Sequence, residues 1–176
     1  MHNRLLAGAT LLTLLAAGCG SVTTGASAAP TATPTYGPNV VHSEGIGQRT
    51  RIGDQRSALA PELAESRGNC AEQLRSVPQA NLVFDASDKL ALIWFEDPLR
   101  TPEGVGNGST LAQVRQAYPQ AAELAPPAGS HQFAGLLVSG GERGYLFLYD
   151  GDVVVKSIAG QTSLLRQLFS QGFGVC

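Results

Sequence analysis

Few residues in this chain have the types and spacing that chemistry requires. Past the first forty positions it carries two histidines, His42 and His131, 89 residues apart. A nucleophilic centre needs a base within hydrogen-bond reach of the attacking atom, and a zinc site needs several ligands at close spacing. No G-x-S-x-G elbow, CxxC or HxxxH occurs to bring such groups together. His42 adjoins a tether-like segment and His131 sits between a proline-rich stretch and an apolar run, so both are expected in exposed loops. Two carboxylate pairs, Glu96-Asp97 and Asp150-x-Asp152, have the spacing for acid-base work or calcium. Pro98 after the first and Gly151 inside the second make turns the simpler reading. No catalytic residue, metal ligand or cofactor site is assigned.

The stretch TPEGVGNGSTLAQVRQAYP, residues 101–119, poses a sharper question. Gly104, Gly106 and Gly108 are spaced G-x-G-x-G. A dinucleotide fingerprint needs G-x-G-x-x-G after a buried parallel strand, and a P-loop needs a Lys-Ser/Thr pair. Neither is present, and the glycines read as the turn that leads into a helix. Thr110 and Gln113 form a capping-box pattern, Leu111, Val114 and Tyr118 fall on one helical face, and Pro119 stops it.

The elements that must position these residues begin with a leader. Arg4 precedes an apolar run from Leu5 to Ala17. It is too short for the roughly 20 residues of a transmembrane helix and fits a signal-peptide core. Ala16-Ala17-Gly18-Cys19 resembles the bacterial lipobox, which implies cleavage after residue 18 and lipidation of Cys19. The competing site Ala26-Ser27-Ala28 would release a soluble secreted chain cut after Ala28. Residues 19–39 hold no Asp, Glu, Lys or Arg and are rich in Ala, Thr and Pro. They read as a tether, about 25 Å as a coil, joining the lipid to a single domain over 40–176. Once Cys19 carries lipid, Cys70 and Cys176 remain as one pair for an oxidising compartment. Such a bridge would add about 4 to 5 kcal/mol on the chain-entropy model.

Composition narrows the partners. The chain has 176 residues, 43% hydrophobic, with 12 Lys+Arg against 14 Asp+Glu. That is enough apolar material for one core, and there is no basic stripe for nucleic acid.

Inside the domain Glu44-Gly45-Ile46-Gly47 recurs as Glu103-Gly104-Val105-Gly106, and LVFDASDKLALIWF (82–95) resembles YLFLYDGDVVVKSIAG (145–160). The two similarities suggest degenerate repeats over about 40–100 and 101–176. In the second, strands are expected at 132–139, 144–150 and 152–158, the last two joined by an Asp150-Gly151 hairpin. A helix from Thr162 then carries the stripe Leu164, Leu165, Leu168, Phe169. In the first, a helix over 55–66 and two strands flanking the Asp85–Asp88 turn are expected. Neighbours Trp94 and Phe95 should face opposite sides of a strand. The fold class is therefore α+β, helices packed on an antiparallel sheet, built as two helix-plus-β-meander repeats.

This pattern, carried by Thr101 to Pro119 and by Glu44 to Asp54, resembles the tandem helix-plus-sheet architecture of the β-lactamase-inhibitor-protein and small outer-membrane-lipoprotein group. It is similar also to uncharacterised actinobacterial secreted proteins with a TPEGVGVGS…V…YP stretch. The resemblance implies a non-enzymatic protein-binding or envelope-scaffolding role. The expectation is a lipid-anchored extracytoplasmic interaction protein, touching membrane through its lipid and an envelope protein through its domain. A carrier of a lipid or small apolar ligand and an envelope hydrolase are the alternatives.

Overall fold

A computed structural model of the chain describes residues 34–64 and 71–171. The leader, most of the tether, and Cys19, Cys70 and Cys176 lie outside the described residues, and with them the lipidation and disulfide expectations. No helix among the described residues is long and apolar enough to cross a membrane.

Two sheets and three helices make up the described chain. Strands β1 (Val41–His42), β2 (Gly45–Ile46) and β3 (Thr50–Arg51) form a small antiparallel sheet, followed by helix α1 (Arg56–Leu59). A meander of β4 (Ala71–Leu74), β5 (Val77–Phe84) and β6 (Leu90–Phe95) leads through helix α2 (Leu111–Ala117) to a second meander. This comprises β7 (Ala122–Leu124), β8 (Ala134–Gly140), β9 (Arg143–Asp150) and β10 (Val153–Gln161). Helix α3 (Thr162–Gln171) follows. The meanders join in one antiparallel sheet of order β4-β5-β6-β10-β9-β8-β7. At the seam Leu92, Ile93, Trp94 and Phe95 pair with Gly160, Ala159, Ile158 and Ser157.

The large sheet is covered on both faces, and the sequence carries the mark of it. Along β9, Tyr145 and Phe147 join one apolar cluster while Leu146 and Leu148 join another. A strand buried on both sides reads as a continuous apolar run instead of an alternating one. The first cluster takes in Val41, Ile46 and Ile52 of the small-sheet region, Leu59, and Leu111, Val114 and Tyr118 of α2 and its cap. The second is closed by Leu165, Leu168 and Phe169 of α3, spaced i, i+3, i+4. Burying each such side chain contributes about 1.5–3 kcal/mol.

The mixed helix-and-sheet class holds, with strands dominating. Helix α2 starts where the capping box places it: Gln113 N–H donates to Thr110 Oγ1, and Thr110 N–H donates to Gln113 Oε1. The helix expected over 55–66 shortens to Arg56–Leu59. Pro61 lacks the N–H that the next turn would need, and Leu63 instead bridges to Leu74. The echoed glycine motif is not echoed in backbone. Gly45 and Ile46 form a strand, whereas residues 103–106 remain a loop. A Cβ on Gly45 would lie 1.9 Å from the Thr50 carbonyl oxygen, so no other residue fits that crossing.

Candidate binding site

Polar and aromatic side chains converge on a pocket of about 300 Å³ over the first-cluster face of the sheet. Its lining comes from four places. Tyr36, His42 and Ser43 come from the start of the described chain and β1; Pro102 and Glu103 come from the glycine-rich loop. Ala117, Tyr118 and Gln120 close α2, and Val138, Arg143 and Tyr145 come from β8 and β9.

Its wall is a cluster of rings. Tyr118, Tyr145 and Phe147 have centroids 5.7, 5.9 and 5.8 Å apart, within the range of favourable aromatic pairing. Phe147 is fully buried behind the two tyrosines. Pro119 stops the helix, so Tyr118 sits at its C-cap with its N–H still bonded to the Val114 carbonyl. Its hydroxyl donates to the Glu103 carboxylate, and the Tyr145 hydroxyl donates to the Val41 carbonyl at 3.4 Å. Burial pushes both phenols above their ordinary ionisation range, and the Glu103 carboxylate adds to the effect on each.

His42 is a correction to the sequence reading. It is 4% exposed, in a strand, and stacked on Tyr36 with ring centroids 4.4 Å apart. Nδ1 faces one N–H donor, and Nε2 faces both a carbonyl oxygen and a guanidinium. The Glu44 amide lies 3.2 Å from Nδ1, and the Arg51 guanidinium lies 2.7 Å from Nε2, which is also 2.9 Å from the Gly47 carbonyl oxygen. An imidazolium would set a proton against the Glu44 amide, whereas the neutral ring accepts there at Nδ1 and donates from Nε2 to the Gly47 carbonyl. Desolvation by burial, with the charge of Arg51 a smaller cause, holds its pKa below the usual value of 6.5 against the opposing hydrogen bond to Gly47. The ring is a structural wall whose nitrogens are committed.

The charges at the mouth are unequally engaged. Arg143 pairs with Glu44 and donates to the Ile52 carbonyl. Glu103 accepts from Tyr118 and has no cationic partner among the described residues. Both glutamates of the echoed motif thus end here, Glu103 as lining and Glu44 through Arg143. Tyr118 and Tyr145, at a helix cap and in a strand, read from sequence as core, and Tyr36 reads as part of the tether, so none of the three is expected in a site. The available signal was the recurrence of glutamate in the motif.

Other candidates resolve into structure. The amides of Gly104, Val105, Gly106, Gly108, Ser109 and Leu111 all donate inward, to Thr101, Ser109, Val154, Gly106 and Asp152. With those donors used, the glycine run offers no phosphate cradle. Asp150 and Asp152 bracket a hairpin in which Gly151 has φ 55°. Glu96-Asp97 lies at the end of β6, and Asp97 pairs with Arg100. His131 is exposed in the connection between β7 and β8. Phe95 is buried on the first face; Trp94, half-buried on the other, lies 5.6 Å from the Lys156 ammonium. Among the described residues no three His, Cys, Asp or Glu converge to hold a metal. Comparison with protein families, curated proteins and solved structures finds nothing that matches this chain.

Proposed function

We propose that the protein is a lipid-anchored interaction module on the extracytoplasmic face of the cell membrane, recognising an envelope partner through the tyrosine-lined pocket. The observation that carries this is the pocket's make-up. Tyrosine presents a large rigid apolar body with a polar tip, which is why it is enriched at interfaces. Here Tyr36 is half-buried beside two tyrosines held by defined hydrogen bonds. A wall fixed before contact loses little side-chain freedom on binding. The lipobox-like run ending at Cys19 and the Thr/Pro tether supply the anchor and the stand-off.

The experiment is photocrosslinking in intact cells from position 120, where exposed Gln120 is replaced by a photoreactive residue, with the same residue at exposed position 166 on α3 as control. A discrete adduct from 120 that is absent from 166 is the expected result. Equal labelling from both positions, or none from 120, would contradict the reading.

The two-repeat reading is part of the same proposal. Its support is the order β4-β5-β6-β10-β9-β8, which runs the same from either end when β4, β5 and β6 are matched to β8, β9 and β10. Matched residues lie 65 apart, so 92–95 corresponds to 157–160, and these are the four positions paired at the seam. The first copy's short helix and the second copy's α2 each precede the matched strands. On this reading the pocket is an asymmetric product of duplication, lined by Glu103 of one EG(I/V)G segment and reached by Glu44 of the other only through Arg143.

A further inference from the structure

We infer that the pocket's ligand is a primary ammonium group on an aliphatic stem, presented as a lysine side chain of the partner protein; this rests on the interaction-module reading above. Three observations converge on that chemistry.

The first is charge. Glu103 is the carboxylate at the mouth without a cationic partner among the described residues, and one of its oxygens, Oε2, accepts the Tyr118 hydroxyl. Oε1 is left to accept from an incoming donor. The cations nearby do not oppose this: Arg143 is paired with Glu44, and burial favours the neutral form of His42, whose Nδ1 accepts from the Glu44 amide. Arg51 contacts the Nε2 edge of His42 and is not part of the lining.

The second is the wall. Tyr36, Tyr118 and Tyr145 all border the space, and aromatic faces attract an ammonium that is partly stripped of water. The third is shape. Beside the polar Ser43 and Gln120, Pro102, Ala117 and Val138 give the lining an apolar strip suited to a methylene stem whose charged tip reaches the carboxylate. A volume of about 300 Å³ has room for one such side chain. A quaternary ammonium would satisfy the aromatic wall but could not donate to Glu103, which favours the primary amine.

The test uses the full chain in detergent micelles and the peptide acetyl-Gly-Lys-Gly-amide, followed by NMR shifts of the tyrosine rings. Saturable binding is expected. It should weaken at least about tenfold when the lysine is ε-acetylated, and by a similar factor in Glu103→Gln, since one hydrogen bond to a charged group is worth that much. Glu103→Gln keeps an acceptor for Tyr118, and the acetylated peptide makes the same comparison on the unaltered chain. Equal binding of the two peptides, or binding of neither, overturns the inference. Binding to vesicles containing phosphatidylethanolamine, without binding to the lysine peptide, also overturns it by assigning the ammonium to a lipid head group. A position-120 adduct obtained alongside any of these failures leaves the interaction module standing and removes only its lysine.

Discussion

The Tyr118 hydroxyl donates to the Glu103 carboxylate across helix α2, joining the loop that leads into the helix to the residue that caps its far end. One side chain thereby fixes both the position of a pocket wall and the placement of the carboxylate at its mouth. Tyr118→Phe deletes this bond while leaving the ring in contact with Tyr145 and Phe147. A hydrogen bond to a charged group is worth about 1.5–3 kcal/mol, and exposure of Glu103 reduces that to about 1 kcal/mol. Urea denaturation should show a lower midpoint of that size with an unchanged m-value.

Alkaline pH probes the same pair. Tyr118 and Tyr145 ionise above the ordinary phenol value of 10.0 in the folded chain, mainly through burial. A raised folded pKa means that the unfolded chain loses its proton first. Stability is therefore full below pH 10 and falls as pH rises beyond it, by about 1.4 kcal/mol per pH unit for each such tyrosine. Denaturation at pH 9, 10 and 11 checks this, and Tyr145→Phe should make the decline shallower. A flat profile would mean that the phenols are solvated.

Acid works in the opposite sense on His42. Its folded pKa lies below 6.5, so its contribution is complete above that value and is lost as pH falls through the folded pKa. His42→Gln should flatten the stability profile between pH 7 and 5. A C2–H resonance assigned to His42 by its loss in His42→Gln, and titrating at 6.5, would contradict the burial.

The first glycines of the two echoed motifs should behave differently. A Cβ on Gly45 meets the Thr50 backbone oxygen, whereas one on Gly104 meets nothing within 4 Å, although its φ is 82°. Gly104→Ala is expected to cost about 1 kcal/mol through backbone strain alone. Gly45→Ala should cost at least about 2 kcal/mol, because the small sheet must separate. Thermal melts of the two variants make the comparison.

How far the sequence carried this depends on which residues spoke locally. The cap at Thr110–Gln113, the stop at Pro119, the hairpin at Gly151 and the stripe Leu165, Leu168, Phe169 are local devices, and each lies where its chemistry placed it. The two-residue strands β1 to β3 were not legible, since their pairing rests on a crossing at Gly45 and not on an apolar pattern. His42 was misread as exposed for the same reason: its burial comes from Tyr36, six residues earlier, stacking on it. The pocket was invisible because Tyr36, Glu103, Tyr118 and Tyr145 are brought together only by sheet order.

Whether this pocket works from a membrane anchor is decided by the intact mass of the chain extracted from cell membranes. A chain beginning at Cys19 and carrying a diacylglycerol is the expected result, and Cys19→Ser abolishes that species. An unmodified chain beginning at Ala29 in the medium would contradict it.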